Sequence, residues 1–85
     1  MLRTKIVVQL NRGLRARSAS EFVRIATLFT SDINIIKKGR LLDGKSIMGL
    51  MCQSIREGEE IILIADGIDE IEASHCLSQY LLNNK

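Results

Sequence analysis

The chain has no proline and no tryptophan, one histidine, one tyrosine and two cysteines in 85 residues. Without proline, or any glycine- or serine-rich stretch, nothing reads as a linker, and a chain of this length is expected to fold as one domain over residues 1–85. Phe22, Phe29 and Tyr80 are the only aromatics, and all three fall at core-like helical positions. That leaves no stacking platform for single strands, so direct nucleic-acid binding is not expected. Cys52 and Cys76 form no CxxC pair and no Cys/His cluster. They read as reduced, buried thiols, with no disulfide, metal or cofactor. No apolar run reaches the roughly 18–20 residues of a membrane span. The N-terminus alternates polar and apolar residues where a signal peptide would be continuously apolar. The expectation is a cytoplasmic protein with no membrane contact.

What is present is an ordinary globular composition, 46% hydrophobic and 26% charged, with a net charge of only +2. The charge is lopsided. Residues 1–56 carry 11 of the 12 Lys and Arg against three acids, whereas residues 57–85 carry Lys85 against seven acids. The basic part points to an anionic ligand or partner.

Ile6, Val8 and Leu10 alternate with Lys5, Val7 and Gln9, so Thr4–Leu10 reads as a strand with one buried face. After Asn11–Gly13, apolar residues at 19, 22, 23, 26 and 29 define a helical stripe, with Ser18 and Glu21 placed as a capping box. Ile33–Lys37 and Arg40–Asp43 flank Lys38-Gly39 and read as a hairpin, followed by a short helix from Ser46. Glu59–Asp66 is the most β-prone run. A last helix is expected near Asp69, capped by Asp69 and Glu72 and burying Ala73, Cys76, Leu77, Tyr80 and Leu81. His75, out of phase with that stripe, reads as a solvated side chain. The order β-α-β-β-α-β-α predicts an α+β fold, an antiparallel sheet with helices on one face and the other face open to water. Ile6, Val8, Phe22, Val23, Leu63, Leu77 and Leu81 are its candidate core.

Three collinear segments carry a more specific message: "GLRARSAS" (13–20), "GKSIMGLM" (44–51) and "ADGIDEIEA" (65–73). The chain resembles the HPr family of the bacterial sugar phosphotransferase system, in particular its Crh-like branch. The first segment resembles the family's active-site segment, the second its regulatory serine segment. The resemblance implies an open-faced β-sandwich with a four-stranded antiparallel sheet of order 1-4-2-3 and three helices on one face. It places Arg15 where the family has its phosphorylated histidine, and Ser18 where it has proline. A guanidinium stays protonated and has no acceptor, so it binds phosphate without taking it covalently. Phosphocarrier activity, and enzymatic activity generally, is therefore not expected.

Ser46 has two readings. As a plain helix N-cap its hydroxyl accepts a backbone N–H. By the resemblance, it is phosphorylated by the ATP-dependent HPr kinase/phosphorylase, and the product is a corepressor of a LacI-type catabolite control protein. The docking surface so implied uses Ile47, Met48 and Met51 together with Arg17 and Ser20. A phosphate on Ser46 would meet the positive end of its helix, near Lys45. Arg17 reads equally as an exposed arginine at a helix start. The alternative function is a phosphate-independent docking or anion-binding module that grips carboxylates or phosphates with Arg12, Arg15 and Arg17.

Overall fold

A computed structural model of the chain describes residues 1–83; the last two residues, with the Lys85 of the charge balance and the end of the expected domain, lie outside the described residues. In chain order the elements are β1 (Leu2–Val7), α1 (Ala16–Ala26), β2 (Asp32–Lys37), β3 (Arg40–Asp43), α2 (Ile47–Cys52), β4 (Glu60–Asp66) and α3 (Glu70–Leu82). All strand pairs are antiparallel and the sheet order is β1-β4-β2-β3.

Alternation builds the first strand, but its ladder runs from Leu2↔Ala65 to Val7↔Glu60, earlier than expected, because it follows the length of β4. Val8 and Leu10 keep the inward phase and are buried. The backbone beside them bonds elsewhere: Val8 N–H donates to the Glu59 carbonyl at 2.9 Å, and Gln9 N–H to the Leu81 carbonyl at 2.8 Å. The hairpin turns through Lys38 (φ 50°) and Gly39 (φ 80°), two left-handed residues in succession, as a tight two-residue turn requires.

One face of the sheet supplies Ile6, Ile33, Ile35, Ile61, Leu63 and Ala65 to a single core closed by Phe22, Leu50, Leu77 and Leu81 from the helices. Val23, expected inside, is only partly buried and packs against the edge of this core. Phe22 is fully buried and tilts against the Tyr80 ring at 6.5 Å, which ties α1 to α3. Phe22→Ala is expected to cost about 3–5 kcal/mol in a denaturant titration, a large share of what a domain this small has. A loss under about 1 kcal/mol would mean that the core does not depend on this ring.

Four expectations about local structure are corrected. Helix α1 starts at Ala16, with Arg15 as N-cap. Ser18 is the third helical residue; its Oγ accepts the Arg15 N–H at 2.8 Å and donates to the Gly13 carbonyl at 2.8 Å. Asp69 does not cap α3 with its side chain, because its carboxylate accepts the Thr30 N–H at 2.9 Å, the Ser31 N–H at 3.0 Å and the Ser31 hydroxyl. The Ser31 hydroxyl first, then these amides, holds the Asp69 carboxyl down at about 2. Cys52 and Cys76 are both exposed thiols. Helix α2 turns Leu50 inward, and α3 buries Ala73, Ser74, Leu77 and Leu81, a stripe fixed by the hydrogen bond between the Ser74 and Thr4 hydroxyls (3.1 Å). Tyr80 is half-buried and His75 exposed. Among the described residues no helix is long and apolar enough to cross a membrane.

Candidate functional site

Two loops and two helices meet at one end of the molecule. Arg12 has φ 70° and Gly13 φ 68°. For a non-glycine residue this conformation costs on the order of 1–3 kcal/mol and persists only where the surroundings over-determine it. Here they do. Gly13 N–H donates to the Leu10 carbonyl at 2.8 Å and Leu14 N–H to the Ile55 carbonyl at 2.9 Å. A Cβ on Gly13 would lie 2.3 Å from the Ile55 carbonyl oxygen and 2.6 Å from Arg56 Cα, so only glycine lets the two loops touch. Leu14 and Ile55 are buried beneath them.

This contact makes two hollows. One, of about 270 Å³, is lined by Arg12, Arg15 and Arg56 over Leu14, Met51 and Ile55. The other, of about 540 Å³, is lined by Arg12, Arg15, Arg17, Ser18, Glu21 and Tyr80 among others. Arg12, Arg15, Arg17 and Ser20 are exposed, and Ser20 lines neither hollow. Among the described residues the ion pairs involve Met1, Lys37 and Lys38, and none of these arginines. Among the described residues Glu21 is the one carboxylate lining the larger hollow, and it accepts the Tyr80 hydroxyl at 2.9 Å.

Burial, and then that bond to Glu21, push the Tyr80 phenol up to about 12. Since the chain has one tyrosine and no tryptophan, an absorbance titration reads this group alone. The expected tyrosinate midpoint is near 12; a midpoint near the ordinary 10 would contradict the contact. The linked stability is present below the unfolded value and is lost as pH rises through the folded one.

Ser46, in extended conformation (φ −118°, ψ 114°), caps α2 by accepting the Gly49 N–H on Oγ at 3.1 Å. Gly49 leaves the hydroxyl room, since a Cβ there would sit 3.3 Å from it. Leu50 anchors the helix in the core, while Ile47, Met48 and Met51 stand 40%, 77% and 44% exposed. Lys45 is not aimed at Ser46: its ammonium donates to the Phe29 carbonyl at 2.8 Å. The far end of α2 is held by buried Lys37, whose Nζ donates to the Gln53 and Ser54 carbonyls at 2.6 and 2.9 Å and pairs with Glu59 at 3.0 Å. The helix is thus pinned at both ends with its apolar side outward. Met51 also lines the smaller hollow beside Arg15, which joins this apolar side to the arginine loop. Sequence reasoning missed Lys37 and Arg56. Lys37 had a signal, being in phase with Ile33 and Ile35; Arg56 had none, because only the Gly13 contact brings it to the site.

The family described as "PTS HPr component phosphorylation site" matches residues 2–83. The HPr-like protein Crh of Bacillus subtilis (strain 168) is 46% identical over 81 residues, covering 95% of each chain. A crystal structure of a phosphocarrier protein HPr from Bacillus anthracis str. Ames superposes with a TM-score of 0.91 at 39% identity, covering 94% of this chain and 95% of that one. The selenomethionyl Crh crystal structure from B. subtilis, described as a dimer with a swapped domain, gives a TM-score of 0.80 at 44% identity over 100% of this chain and 98% of that one.

Proposed function

The chain belongs to the HPr family, and from that premise we propose that it is a regulatory, non-carrier member acting in carbon catabolite repression. In this reading the ATP-dependent HPr kinase/phosphorylase phosphorylates Ser46, and the phosphorylated form is the corepressor of a LacI-type catabolite control protein. It works in the cytoplasm, without catalysing a reaction and without touching DNA itself.

The observation that carries the reading is the arrangement of α2. A serine hydroxyl sits at the helix start with exposed Ile47, Met48 and Met51 beside it. Phosphate there adds about −1.5 to −2 charge at pH 7, next to apolar surface already presented to solvent. The N-cap bond from Gly49 survives in kind, since a phosphate oxygen accepts as a hydroxyl does. Lys37 and Leu50 hold the helix, so the modification changes the surface and leaves the fold. Ser20 and Arg17, exposed on α1, extend the proposed docking surface.

Incubation with the ATP-dependent kinase tests the assignment of Ser46. The expected product carries one phosphate, on serine, and Ser46→Ala takes up none. Undiminished labelling of Ser46→Ala would place the modification elsewhere. That Arg12, Arg15 and Arg17 make no ion pair among the described residues favours a second reading, phosphate-independent docking on an acidic partner. It predicts partner binding that is insensitive to Ser46 and falls steeply with salt.

A further inference from the structure

We propose that the hollow between the Arg12–Arg15 loop and Arg56 binds a small phosphorylated carboxylic acid, a ligand that the corepressor role does not require.

Three arginines, Arg12, Arg15 and Arg56, line it from two segments distant in sequence, and contact between the two backbones brings those segments together. Gly13 lies directly on Ile55 and Arg56, Leu14 N–H donates to the Ile55 carbonyl at 2.9 Å, and both loops are anchored by buried Leu14 and Ile55. Arg12 is held in a left-handed conformation as part of that contact. Among the described residues no carboxylate lines the hollow. Glu59, close in sequence to Arg56, has its carboxylate on Lys37 and on the Arg56 backbone N–H, and Glu21 belongs to the neighbouring hollow. Like charges gathered without a counter-charge repel one another, and an anion removes that repulsion.

The floor decides which anion. Leu14, Met51 and Ile55 are apolar, and an inorganic ion would leave them uncovered, whereas a carbon skeleton covers them. The volume of about 270 Å³ equals that of roughly nine liquid waters at about 30 Å³ each, room for a skeleton of about three carbons with two charged groups. A phosphate monoester carries about −1.5 to −2 at pH 7, and one carboxylate brings the total close to the three guanidinium charges. Both groups match the bidentate guanidinium fork.

The test is calorimetric titration of the unphosphorylated chain with 3-phosphoglycerate, glycerol 3-phosphate and inorganic phosphate at fixed salt, with amide NMR shifts read alongside. The expected result is binding of 3-phosphoglycerate at least tenfold tighter than of the other two, with shifts at Gly13, Leu14, Ile55 and Arg56. Arg56→Gln and Arg12→Gln should each weaken it at least tenfold, while Arg24→Gln, on the exposed side of α1, leaves it unchanged. These are surface positions, and an unchanged melting temperature confirms folding of each variant. Equal affinity for inorganic phosphate, no binding, an equal loss in Arg24→Gln, or shifts confined to Arg17, Ser18 and Tyr80 would each overturn the proposal.

Discussion

Given phosphoenolpyruvate and the general kinase of the sugar phosphotransferase system, the chain is expected to accept no phosphate. A phosphocarrier nucleophile needs an unprotonated nitrogen at neutral pH, which imidazole supplies because its pKa lies near 6.5. On the proposed reading Arg15 occupies that position, and its guanidinium has five donors and no lone pair to offer. The side chain is exposed at the N-cap of α1. His75 does not stand in, since it lies on the exposed side of α3, outside both arginine-lined hollows. Arg15→His should restore measurable transfer, at a rate below that of a carrier. The turn there is set by Ser18, whose hydroxyl bridges the Arg15 N–H and the Gly13 carbonyl, where on the proposed reading the family's proline ring would fix φ. Carrier-like transfer to the unaltered chain would refute the assignment of Arg15.

Much of the fold was legible in the residues because the strands repeat with a period of two. Ile6 and Val8, Ile33 and Ile35, and Ile61 and Leu63 all point inward as alternation requires. Lys38-Gly39 announced the hairpin and Ser46 the start of α2. What stayed hidden depends on tertiary neighbours. Asp69 looked like a helix cap, but Thr30 and Ser31, just before β2, arrive beside it and take its carboxylate. On α3 the apolar spacing favoured Cys76, while packing on β1 chose Ser74 through the Thr4 hydroxyl. Around the candidate site, the exposed apolar side of α2 could be read from a helix too short to bury every side. Arg56 could not, because a contact between distant loops creates its place.

The second large effect is expected at Ser46. Unmodified, its hydroxyl does only the work of an N-cap, so Ser46→Ala should lower stability by about 1 kcal/mol and the melting temperature by a few degrees. Partner binding should respond far more strongly. On the proposed reading the exposed Ile47, Met48 and Met51 supply apolar contact area, and flexible methionines suit a surface that must adapt to another protein. The phosphate adds charge-assisted hydrogen bonds worth roughly 1.5–3 kcal/mol each, and every 1.4 kcal/mol is tenfold in affinity. Met48→Ala or Met51→Ala should weaken binding even when Ser46 carries its phosphate.

The decisive measurement is a titration of the LacI-type catabolite control protein with the phosphorylated and unphosphorylated chain at one salt concentration. The account predicts that the phosphorylated chain binds at least tenfold more tightly and that Ser46→Ala, treated with kinase, binds like the unphosphorylated form. Equal affinities for the two forms would contradict it.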